Sequence, residues 1–243
     1  MNQPLAPLLE RYDRLVVLDT ETTGLSFKHD EIIELAAVTV ELADGAPQVT
    51  RQYDRLIRLS PGRQLSDEIT RLTGITQEAL DAEGISKEEA CRDFQSLLGE
   101  RTLLAAYNAH FDLSFLYYFL HRDGDCTVLK APDFLDVLSV YKDRRAYPHK
   151  LKNAIEEYNL QDRVVNSHRA IDDVLATVEV LKEMDREKSD LDRYINLFGY
   201  NPKYGVEGCR IRSVRYVVQP YGSSVPLYEQ DLLTKMTDFW QKG

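Results

Sequence analysis

The sequence predicts an α/β fold, a mixed sheet flanked by helices. Two observations carry that prediction. Short apolar runs rich in β-branched residues dominate the first sixty positions, whereas helical periodicity dominates the middle. The resulting order is three strands, then helix–strand–helix–strand, then helices, which is the pattern of an α/β layer.

Residues 1–13 read as a loose or helical lead-in. Leu15-Val16-Val17-Leu18 is short and apolar throughout, so a strand over about 14–20 should be buried on both faces. A polar loop from Thr22 to Asp30 follows, and Gly24 permits a sharp turn there. The run from Ile32 to Leu42 makes a second strand, Asp44-Gly45 a turn, and about 49–59 a third strand. Such short connections favour an antiparallel meander. A short helix over Ser66–Leu72 should end at Gly74. Ser86 and Glu89 match a capping box for a helix that turns Ala90, Phe94, Leu97 and Leu98 inward. Leu103 to Tyr107 is another buried strand, and Asn108-Ala109-His110 leads from it into an apolar helix, Phe111 to about His121. Val128 to Phe134 is expected to be the fifth strand, with helices at about 136–142, 150–158 and 169–184. A charge-dense stretch, 182–193, suggests a boundary between a domain over 1–185 and an extension over 186–243. That extension holds six tyrosines between Tyr194 and Tyr228, and Ile211–Val218 reads as a strand in it.

Composition narrows the function. A net charge of −10 argues against coating nucleic acid by phosphate neutralisation. Residues 142–169 are locally basic, +3, which suits a short grip on one strand end or a solvated helix face. No apolar run approaches the ~20 residues of a membrane span, and no signal peptide is visible, so a cytoplasmic protein without membrane contact is expected. Cys91, Cys126 and Cys209 fit neither a zinc pattern nor a disulfide framework and read as reduced thiols.

The chemistry gathers on Asp19 and Glu21. Strand side chains alternate, so these two should project together from one strand end. Two anions at ~4 Å repel by about 4 kcal/mol at an effective dielectric near 20. A divalent cation reverses that sign. Asp112 stands where the Phe111 helix begins, and Asp173 lies in Asn166-Ser167-His168-Arg169-Ala170-Ile171-Asp172-Asp173. Asn166 or Ser167 would cap that helix, placing His168 in its first turn and Asp173 about one and a half turns on. The two would be offset by about 140°, flanking one point in a cleft.

These residues carry a resemblance. Asp19-Thr20-Glu21-Thr22-Thr23-Gly24-Leu25, Asn108-x-x-Phe111-Asp112 and His168-x-Ala170-x-x-Asp173 resemble, in order, the three motifs of the DEDDh 3′→5′ exonucleases. They are most similar to the proofreading epsilon type of bacterial DNA polymerase III and to the exonuclease domains within related replicative polymerases. The likeness continues through Glu31–Val38 and Leu72–Thr76 and spans about 14–184. It implies an RNase H-like fold with a mixed five-stranded sheet. It implies that Asp19, Glu21, Asp112 and Asp173 ligate two divalent ions, Mg²⁺ or Mn²⁺, that His168 is the general base, and that nucleoside 5′-monophosphates are released. It places Thr20 and Leu25 beside the terminal nucleotide, with Asn108 and Phe111 near the strand. Leu25 and Phe111 could equally be core, and Asn108 a helix cap. The sister class carries tyrosine where Arg169 stands, which favours the histidine class.

Lys150 or Arg145 is expected to contact substrate phosphates, whereas His29, His110, His121 and His149 receive no role. DNA is the expected substrate. The alternatives are an RNA or oligonucleotide exonuclease and a non-catalytic replisome or nucleic-acid-binding module, against which stands the complete carboxylate set. With no second catalytic pattern in sight, a polymerase or clamp partner is conceivable. Gln230-Asp231-Leu232-Leu233 faintly resembles a sliding-clamp peptide without its terminal aromatic. The tyrosine-rich extension could stack single-stranded bases, dock a partner, or pack on the core.

Overall fold

A computed structural model describes residues 3–165, 167, 169–222 and 225–230. Three strands open the fold: β1 (Arg14–Thr22), β2 (Ile32–Ala43) and β3 (Ala46–Leu56). They form the expected antiparallel meander, joined between β2 and β3 by the Asp44-Gly45 turn. β4 (Thr102–Ala106) then pairs parallel to β1, and β5 (Asp133–Asp136) parallel to β4. The sheet order is β3-β2-β1-β4-β5, which puts β1 at the centre.

Helices cover both faces. On one side lie α4 (Lys87–Leu97) and α5 (Ala109–Asp123), packing Phe94, Leu113, Phe115 and Phe119 against Val16, Leu18, Leu104 and Phe134. On the other lie α1 (Ala6–Arg11), α6 (Val137–Arg144), α7 (Leu151–Glu157) and α8 (Ala170–Glu187), packing Leu8, Val140, Ile155, Val174 and Leu181 against Leu15, Val17, Val38 and Leu103. Two further helices are short. α2 (Asp67–Thr73) starts at Ser66, whose hydroxyl accepts the Ile69 N–H, and ends at Gly74 with φ 72°. α3 (Gln77–Glu83), capped by Thr76, has no counterpart in the sequence reading.

Two strand assignments are corrected. Residues 128–134 do not form one strand: Cys126–Lys130 is a 3-10 turn, and β5 begins only at Asp133. Asp125 caps the turn by accepting the Thr127 N–H at 2.8 Å, and Pro132, lacking an N–H, cannot pair ahead of β5. Of Ile211–Val218 only β7 (Arg215–Val218) is extended, parallel to β6 (Leu197–Tyr200), because Val214 N–H closes a turn on the Ile211 carbonyl.

The chain after α8 joins the main core. Asn196 hooks onto β5, donating its N–H to the Phe134 carbonyl (2.7 Å) and accepting the Phe134 N–H on Oδ1 (2.8 Å). Leu191, Tyr194, Leu197, Val217, Leu227 and Tyr228 pack in the same cluster as Leu15 and Val174. Tyr194 and Tyr228 meet edge to face at 5.0 Å. The clamp-like stretch beyond Gln230 lies outside the described residues.

Candidate active site

The site follows from how β1 outruns its neighbour. β1 pairs with β4 only from Arg14 to Val17, and β4 gives way to α5 after Ala106. Beyond that point β1 keeps β2 on one edge, with Asp19 opposite Ala36 and Glu21 opposite Glu34. A crevice therefore opens at the carboxyl ends of parallel strands, the usual ligand position in an open α/β sheet.

Asp19 and Glu21 stand there, both half-buried, and Asp173 joins them from the first turn of α8. One carboxylate oxygen from each lies within 4.8 Å of the others. Two opposite ligands at about 2.1 Å from one Mg²⁺ are about 4.2 Å apart, so this spacing is close to what one cation needs. Asp112 is buried at 3% exposure in the first turn of α5. Its Oδ1 accepts both the N–H (3.0 Å) and the hydroxyl (2.8 Å) of Thr20. Thr20 thus orients Asp112 towards β1. Asp112 and Asp173 occupy helix N-termini, where the helix dipole offsets part of the negative charge.

The electrostatics are those of a crowded, partly buried acid cluster. Asp19 is pushed well above the ordinary carboxylate range, first by loss of solvent and then by Asp112, Glu21 and Asp173. Glu21 rises to about 8, again through burial and then the charges of Asp173, Glu34 and Asp112. Asp112 is raised chiefly by burial, against the opposing pull of the Thr20 hydrogen bonds. The donors are all hard oxygens, a set suited to Mg²⁺ or Mn²⁺.

Asp173 comes earlier in its helix than expected. α8 starts at Ala170, and no side chain of Arg169 caps it. Ser167 does not cap it either: its hydroxyl donates to Asp172. The cap comes from another element. Glu34, at 0% exposure on β2, accepts the Ala170 N–H at 2.9 Å and the Arg169 guanidinium at 2.8 Å (Nε) and 2.5 Å (Nη2). Sequence reasoning missed Glu34, although an acid in the middle of an apolar strand was a signal. It also missed Asp136, buried at the end of β5, which accepts the Ala109 N–H at 3.0 Å and caps α6. Asp136 thereby takes the role considered for Asn108, whose side chain makes no cap bond and is exposed. His168 and Asn166 lie outside the described residues.

The loop after β1 is well braced. Thr23 N–H donates to the Glu31 carbonyl, and Asp30 accepts the Ser26 N–H and the Thr23 hydroxyl. A Cβ on Gly24 would come within 2.5 Å of the Asp30 carboxylate, so glycine is required by close approach. This bend leaves Leu25 81% exposed rather than in the core. Phe111 is half-buried, its ring 4.9 Å from that of Phe115.

The arginines of the basic strip are spent internally. Arg145 pairs with Glu157 and Glu187, both at 2.8 Å, and lies over the Tyr158 ring, whereas Lys150 is exposed and makes no ion pair among the described residues. Arg144 pairs with Asp190, Arg163 with Glu179 and Glu183, and Arg169 with Glu34.

Comparison with known proteins agrees with this architecture. A family model described as Exonuclease matches residues 16–181. The chain is 35% identical to a DNA polymerase III PolC-type of Thermotoga petrophila over 68% of its own length and 11% of that protein's. It is likewise 35% identical to the 3′-5′ exonuclease DinG of Bacillus subtilis, over 70% of this chain and 18% of that protein. The chain therefore spans less than a fifth of the length of these relatives. Among solved structures, E. coli exonuclease I in complex with a dT13 oligonucleotide superposes with a TM-score of 0.65 at 19% identity, covering 75% of this chain and 43% of that one. The fold is thus RNase H-like, a mixed five-stranded sheet between helices.

Proposed function

The chain belongs to the exonuclease family, and from that premise we propose that it is a metal-dependent 3′→5′ exonuclease acting on DNA 3′ ends, in proofreading or repair. The observation that carries this reading is the meeting of Asp19, Glu21 and Asp173 within 4.8 Å, beside Asp112.

In this reading Asp19, Glu21, Asp112 and Asp173 hold two divalent ions, Mg²⁺ or Mn²⁺. When bound, such ions lower the pKa of water and offset the charge that builds on the phosphate. The protein's own groups do the rest. Thr20 keeps Asp112 turned towards β1. Leu25, held outward by the braced loop, meets the terminal base, and exposed Asn108 faces the strand. His168 takes the proton from the attacking water, which an imidazole titrating near neutrality can do. The nucleoside 5′-monophosphate then leaves.

The test is direct. The purified chain is incubated with 5′-labelled single-stranded DNA, matched and mismatched duplexes and RNA, with Mg²⁺, Mn²⁺ or EDTA. We expect stepwise 3′ shortening with either metal, fastest on single strands and frayed ends, and none in EDTA. No shortening of any substrate would sink the proposal, and shortening of RNA alone would move it to the RNA class. His168→Ala should slow the reaction about 10²–10⁴-fold while leaving cation binding in place.

A further inference from the structure

Three cations outside the basic strip make no ion pair among the described residues. They line a cavity of about 700 Å³ beyond the site, between the far part of α5 and the chain after β6. Lys130, Arg210 and Arg212 border it, all exposed, and among the described residues none pairs with a carboxylate. On a chain of net charge −10 with so many arginines in ion pairs, three such cations around one cavity are a distinctive feature. Its wall also has an aromatic face: Tyr117 lines the cavity, its ring parallel to His121 at 6.0 Å. The volume is within the range of about 300–1,000 Å³ that holds small organic groups.

The cavity is tied to the active-site crevice. Residues 207–209 cross the first turns of α5: His110 Nε2 donates to the Glu207 carbonyl, and Ser114 Oγ accepts the Cys209 N–H at 3.3 Å. Tyr216 packs edge to face on His110, and its hydroxyl lies 3.4 Å from Nδ1. Gly208, at φ +90°, lies against both Ser114 and Phe27, where any side chain would collide. Phe27 belongs to the loop that carries Leu25. It stacks on Tyr118 (5.7 Å, 14°), which meets Tyr117 edge to face at 5.4 Å. Along the axis of α5, Asp112 and Tyr117 are separated by about 7.5 Å, and around it by about 140°. A strand whose 3′ end reaches the carboxylates needs only a few more nucleotides to reach the cavity.

We propose that this cavity holds the substrate strand upstream of its 3′ end, with Lys130, Arg210 and Arg212 on phosphates and Tyr117 against a base. Cations that track a backbone beside an aromatic face are how proteins grip single strands without reading sequence. The inference rests on the exonuclease reading, and makes the chain after α8 part of the substrate path.

The experiment measures affinity in EDTA, by fluorescence anisotropy, for labelled single-stranded DNA from a dinucleotide to a dodecanucleotide. The wild type should bind more tightly as length increases. Each phosphate contact on a single strand contributes a salt slope of about 0.7, which near 0.1 M salt corresponds to about 0.7 log units. The double variant Arg210→Gln/Arg212→Gln should therefore bind the dodecanucleotide about 25-fold more weakly, with a salt slope shallower by about 1.4. Ser213→Trp, which fills the cavity from an exposed position, should also flatten the length dependence. An unchanged length dependence in both variants would overturn the proposal. So would equal losses at every length, or equally strong competition by an oligo-aspartate peptide. A free nucleoside 5′-monophosphate that binds in an Arg210-dependent way, with oligonucleotide binding unaltered, would assign the cavity to a nucleotide and overturn the strand assignment. Cleavage by the wild type is read separately, so failure of the exonuclease reading cannot be mistaken for failure here.

Discussion

Two acidic groups lie along β1 and β2, handled in opposite ways. Asp19 and Glu21 crowd together beside Asp173, and burial and mutual repulsion raise both of the β1 carboxyls. A few residues away, Glu34 is fully buried yet matched by Arg169 and the Ala170 N–H, and Glu31 by Lys87 (2.8 Å) and Arg63 (3.1 Å). Glu31 consequently sits below the ordinary carboxylate range despite burial, through Lys87 and Ser60, whereas Glu21 is pushed to about 8. The contrast teaches how to read buried acid. An acid partnered within the chain fixes architecture, and an acid left to repel its neighbours awaits a cation from outside.

The largest effect should come from breaking the crowded side. Asp19→Asn is expected to lower kcat by about 10²–10³-fold, as for loss of a preorganised electrostatic group. In EDTA the same variant should be more stable than the wild type, because a repulsion is gone. The pH dependence sharpens the point. Asp19 and Glu21 are raised above their unfolded values, so their contribution to stability is complete below the ordinary carboxylate range. It is lost as pH rises through the folded-state values, near 8 for Glu21. Melting temperatures in EDTA should therefore fall from about pH 5 towards pH 8, and Mg²⁺ or Mn²⁺ should reverse the fall. A flat profile in EDTA would break the comparison.

Next comes the partnered side. Arg169→Ala leaves Glu34 buried with the Ala170 N–H and the Asp54 carboxyl but no cation in hydrogen-bond contact. Full removal of a partner from a buried pair costs ~3–5 kcal/mol, and because Arg169 is partly exposed we expect about 2 kcal/mol by denaturant unfolding. Activity should fall too, since Asp173 hangs from the helix that this pair anchors. Equal stability of variant and wild type would show that the pair is not holding α8. The smallest effect is expected from Thr20→Val, which removes one of two hydrogen bonds to Asp112 at a cost of about 1 kcal/mol. Its more informative readout is weaker Mg²⁺ binding with little change in melting temperature.

Legibility followed the range of the interaction. Asp19, Glu21, Asp112 and Asp173 were readable because short motifs repeat local geometry: a strand end and two helix starts. Gly74 and the Ser86–Glu89 pair were readable for the same reason, each acting within a few residues. The cap of α8 was misjudged because the acid that supplies it, Glu34, is 136 residues away from the amide it holds. The ion pairs of Arg145 were not legible because its partners, Glu157 and Glu187, come from other helices.

The sequence by itself determined the α/β class, the central strand β1 and the set of acids that mark its tip, because hydrophobic period and local motif are properties of neighbouring residues. Tertiary structure alone decided which charges cancel. It spent the arginines of the 142–169 strip on internal acids, left Lys130, Arg210 and Arg212 around a cavity, and brought Asp173 beside Asp19 across more than 150 residues. The physical reason is that Coulomb energy depends on distance and solvent access, and only the folded chain sets either.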